Sequence, residues 1–204
     1  TGVGKTRLLL RLEEEGYPVV DLEGLAGHRG SAFGGLGLPP QPTQKTFEAR
    51  LWDKLRHVGP GDYALAEGES PNIGRLVLPP SVYQSLQEET TLWINASLEG
   101  RVRNILADYP ATDDLRASFI RPIQALKRRL GGERVAGLLE LLHRGAWDQL
   151  VRDLMVHYYD PLYRHTCPEM RIEIDIEPQE VGLCRLKAAI EEVLARPAPM
   201  CSQV

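Results

Sequence analysis

Cysteine is scarce in this chain. There are three, Cys167, Cys184 and Cys201, an odd number at wide spacing with no Cys-x-x-Cys pair. A zinc ribbon, a dithiol redox motif and a disulfide framework are therefore excluded, and a reducing, cytoplasmic setting is expected. Long apolar runs are missing as well: nothing approaches the ~20 residues that a bilayer span needs. No basic-then-apolar leader opens the sequence, so neither membrane insertion nor secretion is expected. A surplus of positive charge is also lacking, with 24 Lys and Arg against 28 Asp and Glu, a net charge of −4. Any polyanionic partner must then be met by a local patch and not by the overall field. What is there is ordinary for a folded protein: 204 residues, 43% hydrophobic and 25% charged, enough for one domain or one domain with an insertion.

The sequence opens inside a motif, at Thr1-Gly2-Val3-Gly4-Lys5-Thr6, which reads as though an upstream segment were removed. Leu8, Leu9 and Leu12 then recur at helical spacing until Gly16. Tyr17 to Leu22 is apolar and valine-rich, as a buried parallel strand would be. A glycine-rich loop, Gly24 to Gly37, leads through prolines to a helix from Thr43 to Arg56 with Phe47, Leu51 and Leu55 on one face. A second strand is expected at Tyr63–Ala66, a helix from Pro80 to Glu89, and a third strand at Thr90–Ala96.

This alternation, with the Gly4-Lys5-Thr6 string of a phosphate-binding loop set directly before the first helix, predicts an α/β fold, a P-loop NTPase-like parallel sheet flanked by helices, with its crevice at the carboxyl ends of the strands. Residues from Glu99 to Tyr159 read as helical, with breaks near Pro110, Gly131-Gly132 and Gly145, and suggest an inserted lid. A late edge strand at Arg171–Ile176 precedes a helix from Glu180 to Ala195, and the tail from Pro197 is expected to fray. The expected division is an α/β core of residues 1–98 and 166–204 with a helical, partly basic lid or polynucleotide-binding region of 99–165.

Gly4-Lys5-Thr6 matches the end of the Walker A pattern G-x-x-x-x-G-K-[ST]. Loop amides and a helix start converge on an anion there, so Gly2, Val3, Gly4, Lys5 and Thr6 are the phosphate-binding candidates. The Thr6 hydroxyl is what a magnesium ion would take. At the end of the second strand stand Glu67, Glu69 and Ser70. The carboxylates are candidate catalytic acids and Ser70 a further phosphate contact; a pair of solvated or capping acids is the plain alternative. Two residues apart on an extended strand, the carboxylates would point the same way and raise one another's proton affinity.

The run from Asp21 to Gly34, Asp-Leu-Glu-Gly-Leu-Ala-Gly-His-Arg-Gly-Ser-Ala-Phe-Gly, sets hinge-like small residues around an imidazole and a guanidinium. His28 is a candidate proton carrier, and Arg29 a candidate both for catalysis and for phosphate, which its planar fork suits. A bland surface loop is the alternative. Between Glu99 and Arg134 lie eight cations against five anions. Arg101, Arg103, Arg121, Lys127, Arg128 and Arg129 could form a basic surface for a polynucleotide backbone, although a solvated helix face is the default. Tyr163 and Arg164, in Tyr-Tyr-Asp-Pro-Leu-Tyr-Arg, could stack on an unpaired base or simply pack. No residue set is assigned to a metal held by the protein alone.

Together with Glu-Gly-Glu-Ser-Pro-Asn-Ile-Gly from Glu67 and Lys-Arg-Arg-Leu-Gly from Lys127, these strings resemble bacterial tRNA 2-selenouridine synthases nearly end to end. The run at Asp21–Gly34 is the most specific of them. The resemblance implies a transferase acting on the wobble 2-thiouridine of tRNA, replacing its sulfur with selenium by way of an S-geranyl intermediate. Geranyl diphosphate and selenophosphate would be the small substrates, with Lys5, Thr6 and Arg29 on the diphosphate and no certain cofactor. Full-length members resemble a rhodanese-like domain, with a reactive cysteine, fused ahead of such a P-loop domain. None of the three cysteines here sits in a recognisable rhodanese loop, so the expectation is a half that binds the geranyl donor and tRNA. Two alternatives stay open on the residues alone: a small-molecule kinase using ATP and magnesium, with Glu67 as its metal acid, and a non-catalytic tRNA-binding module.

Overall fold

The computed structural model describes residues 1–59, 61–109, 113–166, 168 and 171–195. The expected break at Pro110, Cys167, Cys201 and the tail from Pro197 lie outside the described residues, as does the side chain of Arg164. Contacts divide the chain into one unit of Thr1–Glu89 with Leu98–Cys167 and another of Thr90–Ser97 with Pro168–Val204. The helical segment is thus grouped with the first 89 residues, a different division from the core and lid of the sequence reading.

In the first unit, α1 (Lys5–Glu14) buries Leu8, Leu9 and Leu12, the stripe the spacing predicts. β1 (Val19–Val20) pairs in parallel with β2 (Leu65–Ala66). β1 is shorter than expected because Asp21 starts a helix: its side chain accepts from the Gly24 amide at 2.7 Å, capping α2 (Leu22–Ala26). Part of the expected glycine-rich loop is therefore helical, with Leu22 and Ala26 turned into the core and Gly27 closing the helix. α3 (Gln44–Leu55), capped by Thr43, buries Phe47 and Leu51. A hairpin of β3 (Asn72–Ile73) and β4 (Leu76–Val77), too short to show any pattern in the sequence, precedes α4 (Pro80–Glu88). Val20, Leu22, Phe47, Leu51 and Ile73 form one core.

The helical part comprises α5 (Leu98–Asp108), α6 (Asp113–Ala125), α7 (Lys127–Leu130), α8 (Gly132–His143) and α9 (Trp147–Leu154). A π-helical turn over Met155–Tyr159 then leads into α10 (Asp160–Thr166). Val135, Leu138 and Leu142 form the inward stripe of α8, meeting Ile123 of α6 and Leu150 and Leu154 of α9. Phe33, from the loop after α2, inserts into this core and stacks on Phe119 with ring centroids 6.1 Å apart.

In the second unit, β5 (Thr91–Asn95) pairs in parallel with β6 (Arg171–Asp175) along all five residues, and α11 (Gln179–Ala195) packs on β6. Instead of one continuous sheet, the described residues form three two-stranded ones: two parallel pairs and the hairpin. The architecture is mixed α/β, with short parallel pairs flanked by helices. No helix among the described residues is long and apolar enough to cross a membrane.

Candidate active site

The loop at Gly2–Thr6 runs directly into α1. Gly4 stands at the head of the helix with φ +83°, and Gly2 has φ +77°. Both values lie in the left-handed region that glycine enters without cost, and such a curl turns successive amides toward one side. The carbonyls of Thr1 and Gly2 are taken by α5: Arg101 Nε donates to Thr1 at 2.9 Å and Asn104 Nδ2 to Gly2 at 2.9 Å. There is no room for a side chain at Gly2, because a Cβ would sit 2.9 Å from Met155 and 3.0 Å from the Arg101 carbonyl oxygen.

The loop's two functional side chains face carboxylates. Lys5 Nζ lies 3.6 Å from Glu69 Oε1, and Thr6 Oγ1 donates to Glu23 Oε2 at 3.1 Å. Burial pulls the Lys5 ammonium toward deprotonation, but the attraction of Glu69, Tyr163, Glu23 and Glu67 outweighs it, and the pKa ends above its ordinary value. Glu23 is pushed up to about 7, first by burial, then by the charge of Glu69 and a hydrogen bond shared with it. Glu23 therefore keeps its proton up to about neutrality. Gly30 makes this pairing sterically feasible: a Cβ there would stand 2.5 Å from Glu69 Oε2 and 2.9 Å from Glu23 Oε1.

Glu67 goes its own way. It is 2% exposed, its Oε2 accepts from the Leu22 amide at 3.0 Å, and its Oε1 is buried without a donor. Burial first, then a side-chain hydrogen bond with Asp21, raise its pKa to about 8. Glu67 and Glu69 thus do not share one site as the two-residue spacing suggests. The strand ends at Ala66, its alternation stops there, and each acid finds a partner from the segment after β1. Glu23 and Asp21 are the functional candidates the sequence reading missed. The signal was present, since both sit at the carboxyl end of β1, beside the phosphate loop.

His28 lies against Gly34, Gly35 and Gly74, where added Cβ atoms would approach its ring to 2.7, 3.4 and 2.8 Å. Its Nδ1 is buried without a partner. Burial, with the charge of Arg29, lowers its pKa against the opposing pull of Glu69, so the ring is neutral at pH 7. Arg29 donates from Nη1 to the Leu36 carbonyl at 2.9 Å and stacks 4.7 Å over the ring of Tyr109. The Tyr109 hydroxyl in turn meets Ser31 Oγ at 3.0 Å, and burial raises its pKa. Ser70 is exposed and donates to the Asn72 carbonyl at 2.6 Å.

The basic candidates separate into two groups. Arg101 is committed to an ion pair with Asp160 and to the loop carbonyl of Thr1, leaving it 14% exposed. Arg103, Arg121, Lys127, Arg128 and Arg129 are exposed on α5, α6 and α7. Tyr163 is 36% exposed and accepts from the Thr1 hydroxyl at 2.9 Å. A magnesium ion would find Thr6 and Glu23 at the loop, with phosphate and water as its other ligands, which suits that ion. Among the described residues no group of three or more His, Cys, Asp or Glu side chains could hold a metal by itself.

Beside the loop lies an apolar pocket, with Thr1 and Ser31 at its polar edge and Tyr109, Phe119, Trp147 and Met155 among its walls.

Fold and site together define an α/β domain with a glycine-turned loop at the head of its first helix, backed by acids from two strand ends. Residues 1–181 match the family described as tRNA 2-selenouridine synthase AAA domain, and the chain belongs to that family. Among its relatives are proteins named tRNA 2-selenouridine synthase. That of Hydrogenovibrio crunogenus is 36% identical over 196 residues, covering 86% of this chain and 53% of the relative. That of Pseudomonas aeruginosa is 34% identical over 228 residues, covering 93% and 58%. That of Marinobacter nauticus is 36% identical over 204 residues, covering 85% and 54%. The chain thus spans about half the length of the curated relatives it matches. No solved structure matches it.

Proposed function

We propose that this chain carries the prenyl-donor and tRNA-binding part of a tRNA 2-selenouridine synthase, transferring geranyl from geranyl diphosphate to the sulfur of wobble 2-thiouridine. The observation that carries the reading is the loop itself: two left-handed glycines ahead of α1, with Lys5 and Thr6 presented beside them. Such a loop binds a diphosphate through amides, an ammonium and the helix start.

In the transfer, the sulfur attacks the allylic carbon, the carbon–oxygen bond breaks and diphosphate departs with the electron pair. Lys5 and the loop amides stabilise the charge that grows on the leaving group. The base also loses a proton, from its ring nitrogen. His28, neutral and with a free Nδ1, is the group suited to receive it. Arg103, Arg121, Lys127, Arg128 and Arg129 hold the tRNA backbone from the outer helices. In a later step of the full-length protein selenophosphate takes the same anion site: selenium bonds to the base carbon, the carbon–sulfur bond breaks with geranyl thiol leaving, and water then cleaves the selenium–phosphorus bond to release phosphate.

The test is incubation of the protein with 2-thiouridine-containing tRNA and geranyl diphosphate, followed by mass spectrometry of the nucleosides. A gain of one geranyl group on the thiouridine is expected. An unmodified nucleoside together with ATP-dependent phosphorylation of a small molecule would replace this reading with a kinase.

A further inference from the structure

Arg7 directly follows the Gly4-Lys5-Thr6 string, yet it cannot join Lys5 on a ligand. Successive helical residues turn by about 100°, so on α1 Arg7 points roughly 200° away from Lys5. All of its side-chain nitrogens are spent on α5. Nε donates to Asp108 Oδ1 at 3.1 Å, and Nη2 donates to the same oxygen. Nη2 also donates to the Asn104 carbonyl at 3.2 Å, and Nη1 donates to Asn104 Oδ1 at 3.3 Å.

A guanidinium has donors and no acceptor. The atom of the Asn104 amide that faces Arg7 must therefore be its oxygen, which leaves Nδ2 for the loop. There Nδ2 donates to the Gly2 carbonyl at 2.9 Å and lies 3.5 Å from where a Cβ on Gly4 would stand. The amide thus sits against both left-handed glycines. Turned end for end, it would set an oxygen against the Gly2 carbonyl oxygen, and the hold on the loop would be lost. Arg7 enforces the donating orientation from one side as the Gly2 carbonyl does from the other. Asp108 in turn keeps Arg7 in place through their ion pair.

We infer that Asp108, Arg7 and Asn104 form a positioning relay for the phosphate loop, in which Asn104 holds the curl at Gly2 and Gly4 and Arg7 acts through Asn104. The inference rests on the reading of Gly2–Thr6 as a diphosphate site, and deepens it by naming side chains that keep the site in its binding shape. None of the three touches the reacting groups.

The experiment is a double-mutant cycle on the purified protein. Asn104→Leu removes the donor without changing charge. Arg7→Lys keeps the charge and the pairing with Asp108 but loses the planar fork that fixes the amide. Two quantities are measured: the affinity for inorganic diphosphate by calorimetry, and the backbone amide resonances of Gly2, Val3 and Gly4 in isotopically labelled protein without diphosphate. Each single variant should shift those resonances and lose affinity by about three- to tenfold, the worth of one neutral hydrogen bond. The double variant should bind no more weakly than Asn104→Leu alone, because residues acting in series are not additive. Asn104→Ala takes the place of Asn104→Leu in the cycle if the latter does not fold. Multiplying losses in the double variant would overturn the claim that Arg7 acts through Asn104. Unmoved resonances, or wild-type affinity in both single variants, would overturn the relay. If the resonances move while not even the wild type binds diphosphate, the relay stands and the reading of the loop falls.

Discussion

Thr6, the last residue of the phosphate loop, donates its hydroxyl to Glu23 at 3.1 Å. An incoming anion must compete for that hydroxyl with a carboxylate, just as it must compete with Glu69 for Lys5. Protonation relieves the competition. Glu23 holds its proton below about pH 7 and loses it above, so anion affinity should rise as pH falls from 8 to 6, by up to about tenfold per unit. Sulfate is the suitable probe, because its own charge is constant over that range. Glu23→Gln should flatten the profile, and calorimetric titration at several pH values measures both.

The loop and the outer helices should separate by mutation. Lys5→Ala removes a charge-assisted contact, and diphosphate binding should fall roughly ten- to a hundredfold while tRNA binding is spared. Arg128→Glu with Arg129→Glu should do the reverse, weakening tRNA binding and reducing the steepness of its salt dependence. Filter binding with tRNA and calorimetry with diphosphate, run on all variants, give the comparison.

Glu67 should make stability depend on pH. Its pKa is about 8 in the folded chain against an ordinary value of 4.5, so the folded state keeps a proton that the unfolded chain has released between those values. Stability is then full below about pH 4.5 and falls as pH rises through 8. Glu67→Gln reproduces the protonated form and can still accept from Leu22. It should match the wild type near pH 4 and exceed it by a margin that grows as pH rises toward 8, by about 1 kcal/mol or more at pH 8, as seen in thermal melts. Glu67→Ala should lose stability at both.

Much of this was legible from the residues and some was not. The leucines of α1 and the apolar face of α3 stand in the sequence because helical period is local. The loop at Gly2–Thr6 was legible for the same reason. The partners of Glu67 and Glu69 were not, because they come from across a strand pair and depend on where β2 stops. The separate pairing of β5 with β6 was hidden likewise: an apolar strand names its type and not its neighbour. The pocket was hidden most, since its lining is spread from Thr1 to Tyr159.

Two core substitutions should act in a sense that helix propensity alone does not give. Gly182→Ala lies inside α11, where the exchange ordinarily gains up to ~1 kcal/mol. Here a Cβ would stand 2.3 Å from the backbone of Ile176, so the variant should be destabilised. Leu138→Ala, at 1% exposure in the helical core, should cost about 2–5 kcal/mol with no change in any binding residue. Urea unfolding monitored by circular dichroism checks both.

The grip of α5 on the carbonyls of Thr1 and Gly2 has an electrostatic corollary. In a trans peptide the oxygen and the amide hydrogen project to opposite sides. By holding those two oxygens, Arg101 and Asn104 turn the hydrogens of Gly2 and Val3 outward on the other side. The donors are aimed before any guest arrives, and little reorientation is left to cost binding energy when a negatively charged group settles against them.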